Sequence, residues 1–121
     1  MRRKPGRLLP IELAICEAAA ALRRRGGDGE FHGYEIARTI GDAENVRLLT
    51  AYGTLYRALA RLEKMGLLRS RWEDPAIPAR ENRPGRRLYT LTALGDAAFE
   101  EARREAEAAA RRRARRRLAP A

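Results

Sequence analysis

Apolar positions along this chain recur at intervals of three and four residues over four stretches, and at intervals of two over one pair of short runs. The pattern predicts a mainly α fold with a small β-hairpin. Its sharpest stretch runs from Thr50 to Leu68. On a helical wheel Ala51, Leu55, Ala58, Leu59, Leu62 and Met65 gather on the side expected to face a core, while Thr50, Gly53, Thr54, Arg57, Ala60, Arg61 and Lys64 share the other side. Thr50 is a candidate N-cap, and Gly66 ends the helix where a left-handed residue is needed.

The remaining elements follow in order. Pro10 suits the first turn of a helix running to about Arg25, stopped by Gly26 and Gly27. This helix carries two apolar stripes, Leu9, Leu13, Cys16 and Ala20 against Ile11, Ile15, Ala18 and Leu22, with Glu12 and Glu17 between them. A surface helix of a small monomer needs one stripe, so the second predicts contact with another element or another subunit. Asp28 to Phe31 is expected to turn, and His32 to Ile40 to form a short helix with Ile36 and Ile40 inward and His32 capping or packing at its start. Gly41 to Leu49 is a polar connection that Leu48 and Leu49 can anchor. Helix, connection, helix is the order of a helix-turn-helix, here with a long turn.

After Gly66, Leu68, Ser70 and Trp72 alternate with Arg69 and Arg71, and Arg87 to Leu91 makes the return strand with Tyr89 and Leu91 on one face. Between them Pro75, Pro78, Pro84 and Gly85 rule out continuous sheet, leaving a hairpin tip that carries Arg80, Arg83 and Arg86. A hairpin of this kind directly after the second helix is the wing of a winged helix-turn-helix. Thr92 can cap a last helix running from Ala93 to about Leu118, with Asp96 near its positive end. Its apolar face is lean: Ala98, Ala102, Ala106, Ala109 and Ala110 with Phe99, opposite Glu100, Arg103 and Glu107. Such a face is a seam for the first helix, in the same chain or across a two-fold axis; a self-supporting charged helix held by pairs such as Glu100 and Arg104 is the alternative. The domains expected are thus a basic arm over 1–8, a winged helix-turn-helix over 9–92 and a dimerisation helix over 93–118 with an arginine-rich tail.

Charge narrows the function. At 121 residues and a formal net charge of +10, the chain suits a polyanionic partner, nucleic acid before an acidic membrane surface. No apolar run approaches the roughly 18 residues that span a bilayer, and Arg2, Arg3 and Lys4 lead into a helix containing Glu12 and Glu17 instead of a signal-peptide core. A cytoplasmic protein without a membrane partner is expected. One Cys and one His cannot make a disulfide or a usual zinc site, so no metal and no cofactor is expected. Cys16 reads as a small buried hydrophobe. With no phosphate-cradling glycine loop and no nucleophile beside a base, the chain is not read as an enzyme.

A helix fits the major groove with its first residues at base edges and its later cations on phosphates, and arginine on a thin loop can enter a minor groove. The candidate DNA-binding residues are therefore Thr50, Tyr52, Thr54, Tyr56, Arg57 and Arg61 on the helix and Arg83, Arg86 and Arg87 at the wing. Tyr52 and Tyr56 lie at the edge of the apolar face and serve packing as readily as contact. A charged helical face can also be merely solvated, and the run Arg111, Arg112, Arg113, Arg115, Arg116 and Arg117 supports an alternative: a nonspecific basic nucleic-acid-binding protein or a winged-helix interaction module.

One ordered set of segments adds to this: His32-Gly33-Tyr34-Glu35-Ile36, Gly53-Thr54-Leu55-Tyr56, Leu59, Arg61-Leu62-Glu63, Gly66-Leu67-Leu68, Trp72, Arg86-Arg87-Leu88-Tyr89-Thr90-Leu91-Thr92 and Gly95. In these the chain resembles the PadR family of bacterial transcriptional regulators, over roughly Leu9 to Glu101, and is similar to the short subgroup with a single C-terminal helix. The resemblance implies a homodimer held by the last helix with the first, binding palindromic operator double-stranded DNA, usually as a repressor. Arg57 stands where the family often has proline, adding a cation to the exposed face, and Leu88 precedes Tyr89 where adjacent aromatics are frequent. Some relatives bind flat aromatic inducers between subunits. The last helix here offers only Phe99 for stacking, so that site is not carried over, and any inducer is an unknown small molecule.

Overall fold

A computed structural model of the protein describes residues 8–26, 28–42 and 52–118. The element order is α1 (Pro10–Arg24), α2 (Gly33–Asp42), α3 (Tyr52–Lys64), β1 (Leu68–Trp72), α4 (Ala76–Glu81), β2 (Arg87–Leu91) and α5 (Ala93–Leu118). Of the expected connection Gly41 to Leu49, Gly41 and Asp42 belong to α2 instead, and 43–49 lie outside the described residues, as do the cap Thr50, Ala51, Gly27, residues 1–7 of the expected arm over 1–8, and 119–121.

α1 is the element against which the others pack: α2, α3, α5 and β2 all touch it. Both of its predicted stripes are largely filled by this one chain, because Ile11, Ile15 and Ala18 are buried and so are Cys16 and Ala20. The second stripe therefore needs no partner subunit to explain it; Leu9 and Leu13 of the first stripe and Leu22 of the second are half-buried. Glu12, placed between the stripes, is fully buried. It sits in the first turn and accepts a hydrogen bond from the Leu9 backbone N–H at 2.8 Å, the backward half of a capping box. The Cys16 thiol is buried, and burial pushes its pKa up to about 12, so it packs as an unreactive hydrophobe.

Between α1 and α2 the chain does more than turn. Phe31 exchanges backbone hydrogen bonds with Tyr89 (2.7 and 3.0 Å), adding a one-residue third strand to the sheet, and its ring stacks on that of Tyr89. β1 and β2 pair antiparallel from Leu68↔Leu91 to Trp72↔Arg87. Cross-strand partners share a face, so Leu68, Tyr89 and Leu91 enter the core while Trp72 and Arg87 extend the same face beyond it. The tip is not a plain loop, since it contains α4.

α3 turns into β1 at Gly66, whose φ of +80° is the left-handed conformation expected there. Met65 is exposed instead of core-facing, because α3 ends at Lys64 and Met65 stands one residue beyond it. α5 begins at a tight joint with this corner. The Thr92 hydroxyl donates to the Gly66 carbonyl (2.6 Å) and accepts the Gly95 N–H (3.0 Å), which makes it the expected N-cap. A Cβ on Gly95 would lie 2.1 Å from the Leu67 carbonyl oxygen, so only glycine lets α5 start against this backbone. Asp96 pairs with Arg23 of α1 through two hydrogen bonds (2.6 and 3.2 Å). Beyond Phe99 no residue of α5 is fully buried.

Candidate nucleic-acid interface

α3 is fixed by one face and offers the other. Leu55, Ala58, Leu59 and Leu62 are completely buried. On the opposite side Gly53, Arg57, Ala60 and Lys64 are exposed, and Thr54 and Arg61 are half-buried. Tyr52 opens the helix, but its side chain lies outside the described residues, as does Thr50. The Tyr56 ring lies over Gly33 at the start of α2, where a Cβ would come within 2.8 Å of its hydroxyl, so this contact sets how closely α2 and α3 approach. Tyr56 is still 48% exposed, which leaves its outer edge available as well.

The arginines differ in what holds them. Arg57 is exposed, and among the described residues its Nη2 donates one 3.4 Å hydrogen bond, to Thr54 Oγ1 one turn back. Arg61 is anchored at its stem, its Nε 3.3 Å from Oε2 of buried Glu12. At the hairpin, Arg87 donates from Nε to Ser70 Oγ (3.0 Å) and stacks over Trp72 at 5.4 Å. Ser70 in turn donates to Glu63 of α3 (2.7 Å), so Arg87, Ser70 and Glu63 tie the wing to the helix. Arg83 is drawn inward. It donates to both oxygens of Glu73 (2.5 and 3.0 Å), to Glu81 (2.8 Å) and to the Pro84 carbonyl (3.1 Å). The Arg83 guanidinium and the Arg86 N–H hold the Glu73 carboxyl below the usual carboxylate range, and its partners push the Arg83 pKa up. Thus the expected arginine trio splits: Arg83 braces the tip, while Arg80 and Arg86 stay exposed. Among the described residues no carboxylate pairs with the guanidinium of Arg57, Arg80 or Arg86.

The start of α2 lies beside this tip. The Glu35 N–H donates to His32 Nδ1 (3.4 Å) while the Glu35 carboxylate accepts the His32 N–H (3.1 Å), a reciprocal cap. Burial lowers the His32 pKa, and the nearby Arg86 and Arg83 add to that against the pull of Glu35. A neutral imidazole is what an accepting Nδ1 requires. Sequence patterns did not reveal Glu12, Glu63 or Glu73, the three acids that orient these arginines. The Pro10 and Glu12 spacing of a capped first turn was the one available signal.

Residues 27–101 match the profile of the family described as transcriptional regulator PadR-like. The chain belongs to the PadR-like family of transcriptional regulators. A transcriptional regulator from Clostridium thermocellum has the same fold, with a TM-score of 0.65 at 22% identity over 91% of this chain and 90% of that one. A PadR-like transcriptional regulator from Bacillus cereus superposes with a TM-score of 0.67 at 17% identity, covering 91% and 93%. The crystal structure of Bacillus subtilis PadR in complex with operator DNA matches 76% of this chain at 21% identity and a TM-score of 0.55, and 45% of that longer chain. No curated protein matches. The PadR-like fold here is a winged helix-turn-helix in which α2 and α3 are the helix pair and β1 to β2 the wing.

Proposed function

We propose that this PadR-like regulator is a cytoplasmic, homodimeric repressor that reads a palindromic operator with α3 in the major groove and the hairpin beside it. The carrying observation is Arg57, a cation displayed on the outer face of a helix whose opposite face is completely buried, with the wing fixed alongside by Glu63, Ser70 and Arg87. A rigid mount with a guanidinium that no carboxylate among the described residues engages suits recognition of guanine edges or phosphates. Thr50, Tyr52 and Thr54 take the first turn, Tyr56 joins packing to contact, and Arg61 and Arg86 meet the backbone. Arg83 and Arg87 shape the wing more than they touch the duplex. The operator-bound Bacillus subtilis relative supports DNA as the partner. The second copy is supported by α5, 26 residues long, whose exposed Ala106 and Ala110 beyond Phe99 are left uncovered by the described residues.

Arg57→Ala is expected to weaken binding to a preferred duplex by about 1 to 3 kcal/mol at fixed salt while the dimer stays intact. Deleting residues 111–121 serves as the contrast, removing the exposed arginines at the end of α5. If binding instead survives Arg57→Ala, vanishes with the deletion, is lost between about 50 and 200 mM salt and shows no preferred sequence, the protein is a nonspecific nucleic-acid binder.

A further inference from the structure

We infer that Glu12 is a positioning residue for DNA binding: through α1 it aims the Arg61 guanidinium outward, so that Arg61 grips a phosphate beside the major groove. The inference rests on the DNA-reading role proposed for α3 and adds a residue that no groove-facing pattern contains.

The geometry has three parts. Glu12 has no exposed side-chain surface, yet Arg61 at the other end of the contact is 41% exposed, so one end of the pair is locked and the other open. The carboxylate is itself held, because Oε1 accepts the Leu9 N–H (2.8 Å) while Oε2 takes Arg61 (3.3 Å). Arg61 is engaged through Nε, the nitrogen nearest its stem, and among the described residues neither terminal nitrogen bonds to Glu12, so the N–H groups at the far end of the guanidinium stay open. Those two nitrogens form the fork that suits a phosphate.

A structural alternative exists: an arginine present only to neutralise a buried acid. Two features speak for an outward task. The contact uses the stem nitrogen in place of the bidentate geometry seen at Arg83 with Glu73, where a neutralising arginine is turned inward. And Arg61 follows Arg57 by one helical turn on the exposed side of α3, so the pair presents two cations in line along the helix.

The test is a double-mutant cycle on binding to a duplex carrying the preferred sequence, with full-length protein at fixed salt and thermal unfolding recorded for each variant. Arg61→Ala and Glu12→Gln are each expected to weaken binding about tenfold, and the double variant about as much as Arg61→Ala alone. Arg61→Lys leaves Glu12 in place and keeps the charge but loses the fork. It is expected to lose most of what Arg61→Ala loses, and it decides the matter even if Glu12→Gln fails to fold. Losses that multiply across the cycle, a Glu12→Gln variant that binds normally, or full affinity in Arg61→Lys would overturn the inference and leave the reading of α3 standing. If wild-type protein shows no preferred duplex, both fall together.

Discussion

α3 and α5 are both arginine-rich helices with an apolar side, and they are mounted in opposite ways. α3 buries Leu55, Ala58, Leu59 and Leu62 completely, so its own chain fixes its height, tilt and rotation. α5 buries Gly95 and Phe99 at its base and then runs on, about 39 Å in all at the α-helical rise, with alanines half-buried or exposed. An open groove of about 470 Å³ beside it is lined by Leu8, just before α1, by Leu13 of α1 and by Ala102, Ala106 and Ala109. Side chains that must meet base edges need the first kind of mount, since a shift of an ångström spoils a hydrogen bond. Alanine buries little area at about 25 cal/mol per Å², so a helix mounted the second way gains most from a second helix laid along it.

The contrast can be broken at its strongest point first. Leu59→Ala removes a fully buried side chain under α3 and is expected to cost about 2 to 5 kcal/mol in urea unfolding, with DNA binding lost alongside. At the joint between the two helices, Gly95→Ala puts a methyl against the Leu67 carbonyl. Because the obstacle is backbone, a loss of about 1 to 3 kcal/mol or more is expected by the same measurement. Ala106→Glu, on exposed α5 surface, should leave helical content by circular dichroism unchanged. In sedimentation it should raise the dimer dissociation constant about tenfold or more, the equivalent of 1.4 kcal/mol.

The smallest effect belongs to the wing tip. Glu73 has a depressed pKa in the folded protein, so its contribution to tip stability is present above the ordinary carboxylate range and is lost as pH falls through the depressed value. Trp72, the only tryptophan, adjoins it and should report the loosening as a fluorescence change below about pH 4. Arg83→Ala should abolish that transition, since Arg83 is the main cause of the shift. A transition unmoved by Arg83→Ala would assign it to another group.

Much of this was legible in the residues because period and punctuation agree. α1, α3, α5 and the hairpin follow from apolar spacing closed by Pro10, Gly66 and Thr92. What escaped depends on distance through space. A helical wheel reports one helix and not how many neighbours surround it, so Glu12 looked like a gap between stripes although α1 is enclosed on several sides. Phe31 makes a strand of a single residue, too short for any alternation to show. The prolines at 75 and 78 correctly excluded sheet, yet proline also suits the cap and first turn of a helix, where backbone N–H groups have no intrahelical acceptor, and α4 forms there. The bracing of Arg83 by Glu73 joins residues ten apart across the tip and leaves no periodic trace. The expected pair of Glu100 with Arg104 gave way to Arg103, which reaches Glu100 and Glu107 on either side.

The central claim is that two copies present rigidly mounted α3 helices at a fixed separation. Selection of binding sites from random duplex DNA by the full-length protein tests it most directly. Enrichment of an inverted repeat whose half-sites lie about one helical turn apart, roughly 10 base pairs or a multiple of it, is the predicted result. A pool that stays random, or that yields one unrepeated motif bound by a single copy, would contradict it.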